Sequence, residues 1–189
     1  MTELETYIRS YFGVSPDDMH AIHSKFKRES IEKGKYFTRI GAHCDRLSFI
    51  VSGMMRVSAP KKDKSITQWI STTGYFVTDI GSLVFDTPSR WDIEAITGCE
   101  LFSISKADYN KLSYDIPSWP LLEKRFIAKC FKTLEERVFS LISESAEERY
   151  DALISQNLSL FNEVPLNNLA SMLGMTPETL SRIRAKRIS

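Results

Sequence analysis

An α+β chain is what this sequence predicts, on three observations. Short apolar segments separated by turn residues occupy the stretch from about Lys27 to Ser105. A long, unbroken helical pattern follows, and the remainder reads as several short helices ending in cations. With 189 residues, one large domain or two small ones are allowed. Hydrophobic residues make up 42% and charged residues 26%, an ordinary globular composition that excludes disorder and collagen-like repeats. No apolar run approaches the roughly 18 residues needed to span a membrane. The start, Met1-Thr2-Glu3-Leu4-Glu5, lacks both the basic and the apolar region of a secretory signal, so a cytoplasmic protein is expected.

Taken in order, residues 2–26 read as helical, with Leu4, Tyr7, Ile8, Tyr11 and Phe12 at helical spacing. Ser15-Pro16-Asp17-Asp18 supplies an N-cap, a proline at N1 and acids in the first turn of a second helix. Strands are expected at Leu47 to Val51, Met54 to Ala59, Ile66 to Ile70, Trp91 to Ile96 and Leu101 to Ile104, in a sandwich, roll or barrel. Between Pro117 and Ser143, Ile127, Cys130, Leu134, Val138 and Leu141 step by three or four, a heptad-like seam. A second apolar flank, Leu122, Phe126, Phe131, Phe139 and Ile142, gives this helix two partners to satisfy. The economical arrangement packs one face on the β unit and the other on a second copy of the chain.

Helices are then expected from Ala146 to Ser155 and from Pro165 to Leu173, joined by a connector at Asn157 to Glu163. Gly174-Met175 forms a tight turn, and Thr176-Pro177-Glu178 reads as cap, N1 proline and first-turn acid of a last helix buried through Leu180 and Ile183. Helix, short glycine turn and cation-rich second helix have the spacing of a helix-turn-helix. The predicted division is 1–116, 117–143 and 144–189.

The global balance of 25 cations and 24 anions conceals a local asymmetry. Six acids face one cation between Ser143 and Glu178, whereas Arg182, Arg184, Lys186 and Arg187 meet no acid from Thr179 onward. The last helix is therefore a candidate polyanion contact. Cys44, Cys99 and Cys130 are spaced for neither a disulfide framework nor a zinc site. His20 and His23 lack a carboxylate or cysteine at matching spacing, and His43-Cys44-Asp45 reads as a loop, so no metal or cofactor is expected. Trp69, Tyr75, Phe76, Phe85 and Trp91 are read as core in preference to an effector pocket. No nucleophile elbow, phosphate loop or His-Glu-x-x-His motif is present, and no enzyme is expected.

The order of these parts, and above all the stretch Asn168-Leu169-Ala170-Ser171-Met172-Leu173-Gly174-Met175-Thr176-Pro177-Glu178-Thr179-Leu180-Ser181-Arg182-Ile183, resembles the cyclic-nucleotide-receptor and fumarate-nitrate-regulator (Crp/Fnr) superfamily of bacterial transcription factors. The resemblance implies a cyclic-nucleotide-binding-like β-roll, a long dimerisation helix and a C-terminal helix-turn-helix domain, here lacking the usual wing. It implies a homodimer on double-stranded DNA, with RNA polymerase as a further partner and a small-molecule effector of unknown identity. Thr176, Pro177, Thr179, Ser181, Arg182, Arg184, Lys186 and Arg187 fall at the DNA-contacting positions. Pro177 replaces an arginine common in the family, which points to a different target sequence.

Phe76-Val77-Thr78-Asp79-Ile80-Gly81 matches the segment that opens the family's phosphate-binding cassette, and Ser89 stands where its phosphate-binding arginine belongs. Arg90 lies one residue along, and in a strand that turns a side chain to the opposite face. Phe76, Thr78, Asp79, Ser89 and Arg90 are thus the effector-site positions, without the charge-assisted pair that anchors cyclic AMP. A rival reading is a small-molecule-binding module with a vestigial DNA domain that signals through protein contacts.

Overall fold

The computed structural model describes residues 3–188. Two helices come first, α1 (Glu3–Phe12) and α2 (Pro16–Lys25), then β1 (Lys27–Ile31), β2 (Tyr36–Thr38), β3 (Arg46–Ser52), β4 (Met55–Lys61), β5 (Lys64–Ser71) and β6 (Phe76–Val77). After α3 (Ile80–Phe85) come β7 (Asp92–Ala95), β8 (Cys99–Ser105), α4 (Lys106–Asp115) and the long α5 (Trp119–Ser143). The chain closes with α6 (Ala146–Gln156), α7 (Leu160–Glu163), α8 (Leu166–Met172) and α9 (Pro177–Ile188). Two compact units form, one from residues 1–57 and 70–131, the other from 58–69 and 132–189.

In the first unit the two expected N-terminal helices form, separated where Gly13 takes a left-handed φ of 66°. Leu4, Ile8 and Phe12, one turn apart, are fully buried, while the side chains of Tyr7 and Tyr11 lie outside the described part. Ser15 accepts a hydrogen bond from the Asp18 N–H at 3.2 Å and Pro16 opens α2. The strands form two four-stranded sheets, β1-β8-β3-β6 and β2-β7-β4-β5. Alternation along β3 sends Leu47 and Phe49 against the helices and Ile50 into a cluster with Met55, Val77, Ile93 and Leu101.

Five elements of this unit carry weak sequence signals. Strand β1 is nearly all charged or polar, yet pairs with β8 antiparallel from Lys27↔Ser103 to Ile31↔Cys99. Its backbone register, not an apolar pattern, makes it a strand. β2 and β6 hold only three and two residues. The helices α3 and α4 are short or polar, and each starts at a side-chain cap, Asp79 and Ser105.

Helix α5 buries Trp119, Leu122 and Phe126, with Cys130 one turn further against the same core. Cys130 therefore departs from its expected place in the outward seam. Phe131, expected on the second flank, is 63% exposed and takes the seam position between Ile127 and Leu134.

The second unit joins the tip of the β4–β5 hairpin, the last half of α5 and α6 to α9. Ser145 and Glu148 form a reciprocal capping box at the start of α6. The expected connector contains the single-turn α7, whose Leu160 and Phe161 are buried beside Tyr150. Leu169, Ala170, Met172, Leu173, Leu180 and Ile183 complete the core of the helical cluster.

Candidate functional site

Helix α8 ends in a Schellman turn: the Gly174 N–H donates to the Ser171 carbonyl at 3.1 Å and the Met175 N–H to the Ala170 carbonyl at 3.0 Å. Gly174 adopts φ 67°, and an added Cβ would lie 2.9 Å from Leu141 Cδ2. Thr176 then caps α9, accepting from the Thr179 N–H at 3.2 Å. Two arginines hold the turn from outside. Arg137 donates to the Met172 carbonyl at 2.7 Å, and Arg149 Nε to the Leu173 carbonyl at 2.9 Å. Burial pushes the Arg137 guanidinium below its ordinary value, and Trp69 lies beneath it at 5.2 Å. Sequence reasoning assigned neither arginine a role, because each acts through a distant carbonyl.

With Leu180 and Ile183 buried, α9 turns Ser181 and Arg182 outward. Arg182 and Lys186 line a cleft of about 450 Å³ with Ser145, Ala146, Glu147, Thr179 and Ile183, where α6 begins. Lys186 pairs with Glu147 at 3.0 Å, and Arg187 pairs with both oxygens of Asp151, its Nε donating at 3.1 Å. Two of the three terminal cations expected to meet phosphate, Lys186 and Arg187, thus already hold acidic partners on α6. These pairs are about half exposed, so a denser anion can displace them at little cost. Among the described residues Arg182 and Arg184 form no salt bridge.

The positions matched to an effector site are arranged differently. Phe76 packs edge-on against Phe12, Phe49 and Phe126 at 5.4–5.6 Å, which makes it core. Thr78 donates to the Arg46 carbonyl at 2.9 Å. Asp79 caps α3 through Oδ1 on the Ser82 N–H at 3.1 Å, and its Oδ2 accepts from the Ser89 hydroxyl at 2.8 Å and the Arg90 N–H at 3.0 Å. Ser89 is buried and Arg90 exposed. The carboxylate occupies the start of α3 and organises the segment that follows, so Asp79 and Ser89 are joined to each other.

Outward on α5, Ile127, Phe131, Leu134 and Val138 step by 4, 3 and 4 and are 36–63% exposed. Leu141, the last expected seam residue, reaches the Gly174 turn. Among the described residues no helix is long and apolar enough to cross a membrane.

The sequence family described as the cyclic nucleotide-binding domain matches residues 28–113. Among curated proteins no sequence matches the chain. Solved structures with a similar fold include a transcriptional regulator of the Crp/Fnr family from Eubacterium rectale, with TM-score 0.72 and 15% identity over 97% of this chain and 88% of that one. FixK2 from Bradyrhizobium japonicum gives 0.70 at 16% identity, covering 85% and 83%. The catabolite activator protein of Thermus thermophilus gives 0.60 at 22% identity, covering 95% and 85%. Residues 28–113 are thus similar to the cyclic nucleotide-binding domain family, and the chain as a whole has the fold of the Crp/Fnr regulators.

Proposed function

We propose that the protein is a homodimeric DNA-binding transcriptional regulator whose β-roll does not respond to cyclic AMP. The observation that carries this reading is the α8-turn-α9 unit, with Leu180 and Ile183 anchored inside and Ser181 and Arg182 outside. A helix so presented can enter the major groove with its first turns, where an arginine pairs with O6 and N7 of guanine. Thr176, Pro177 and Thr179 stand at the groove end, and Arg184, Lys186 and Arg187 serve the phosphates, the last two after exchanging Glu147 and Asp151 for DNA. A gel shift followed by footprinting on genomic fragments tests this. Protection of two half-sites about 34 Å apart is expected; no preference for any duplex over random DNA removes the reading, and leaves the small-molecule module acting through protein contacts.

The view of cyclic AMP rests on Asp79 and Ser89. A cyclic phosphate at the start of α3 would meet a carboxylate, with no guanidinium supplied by residue 89. Arg90 presents only its backbone N–H to this cluster. Titration calorimetry with cyclic AMP is expected to show no micromolar binding; binding lost in Arg90→Ala and kept in Ser89→Ala would overturn this.

A further inference from the structure

We propose that the β4–β5 hairpin is a second DNA-contacting element, with Lys61, Lys62 and Lys64 at its tip binding backbone phosphates beside the bases that α9 reads. This rests on α9 reading double-stranded DNA. The hairpin closes through a two-residue turn, Lys62-Asp63, in which Lys62 takes a left-handed φ of 53°. Three lysines and one aspartate thus occupy four consecutive positions, and all four are exposed. Among the described residues none of the three lysines is in a salt bridge.

The tip belongs to the same compact unit as α8 and α9, and two contacts fix it there. Strand β5 is the last in its sheet, so one edge has no neighbouring strand. From the outer part of this strand the Thr67 N–H donates to the Ser171 hydroxyl on α8 at 2.9 Å. Two residues further, the Trp69 ring lies under Arg137, whose guanidinium holds the Met172 carbonyl at the end of α8. Lys64 stands three residues from Thr67, roughly 10 Å of extended strand. The carboxyl of Glu178, in the first turn of α9, is held below its ordinary range by its own backbone N–H and by Thr176, and the field of Lys64 adds to this. Lys64 therefore lies on the side of the hairpin nearest the first turn of α9, the end that would lead into a major groove.

A duplex carries about one negative charge per 1.7 Å of axis, and cations on two separate elements can follow that line beyond the reach of one helix. The hairpin has the sign, the rigidity and the position for it. The acids of α6, by contrast, already engage the cations at the far end of α9.

The test is the salt dependence of affinity for a duplex selected by the parent protein. Lys61→Gln/Lys62→Asn/Lys64→Gln, with asparagine chosen because it tolerates the left-handed backbone, is expected to weaken every duplex alike. In the dimer, where each substitution removes two charges, it should lower the slope of log affinity against log salt by about five, and Lys64→Gln alone by about two, with base preference unchanged. Lys33→Gln/Lys35→Gln/Lys111→Gln removes equal charge from the first unit and is expected to leave the slope where it was. An unchanged slope in the hairpin variant, or an equal drop in the comparison variant, overturns the proposal. Arg182→Ala separates the two ideas: if it alters base preference while the hairpin variant changes nothing, only the hairpin proposal fails. If the parent selects no duplex, both fail.

Discussion

Asp79 shows how one carboxylate can be recruited into the frame of a site to which its position alone would assign a ligand. Its two oxygens accept three hydrogen bonds, from Ser82, Ser89 and Arg90, and the residue is 6% exposed. Asp79→Ala strips a helix cap and leaves buried donors unmatched, so a loss of roughly 2–3 kcal/mol is expected in urea denaturation. Asp79→Asn, which keeps one acceptor, is expected to lose less. The family resemblance singled out Asp79 and Ser89, ten residues apart, as effector-site positions, but their bond to each other was not legible, because a hydrogen bond between side chains needs coordinates. Arg182 was legible on pattern alone, since burial of Leu180 and Ile183 determines which way it faces. Arg182→Ala is expected to cost about 1–3 kcal/mol of DNA affinity and to relax one base pair per half-site, read by footprinting.

The elements that sequence patterning found best are those with strong punctuation. Caps at Ser15 and Thr176 and the turn at Gly174 mark real boundaries, because each satisfies backbone groups locally. β1 and α4 escaped because neighbouring strands and core contacts supply what their polar sequences lack. Gly174→Ala forces a side chain into a left-handed conformation and against Leu141; it is expected to lower stability by roughly 1–2 kcal/mol and to weaken DNA binding through the displaced turn, measured by melting and gel shift. The capping box of α6 gives a pH signature. The Ser145 N–H and hydroxyl hold the Glu148 carboxyl below its ordinary value. That group therefore stabilises the fold above the unfolded value of roughly 4.3, and the contribution disappears as pH falls through the lower folded value. Melting between pH 7 and pH 3 is expected to show a smaller decline in Glu148→Gln than in the parent.

For the molecule as a whole, the outward stripe Ile127, Phe131, Leu134 and Val138 is expected to be covered by a second copy, and sedimentation equilibrium at micromolar concentration to report twice 21.7 kDa. Leu134→Glu is expected to shift that equilibrium toward the monomer. The sequence pattern divided the apolar residues of α5 into two stripes, but grouped Cys130 with the exposed one and the exposed Phe131, Phe139 and Ile142 with the buried Leu122 and Phe126, since neighbouring positions differ by only about 100° and only the packed core tells which is which. The two stripes also restrict how this segment can change in length. Deleting one residue near Lys129 would carry Phe131, Leu134 and Val138 about 100° around the axis relative to Phe126, whereas removing or adding seven would return them to within about 20°. Descendants of this chain can therefore drift freely in the composition of α5 while its residue count is held nearly constant, any viable insertion or deletion arriving in whole heptads.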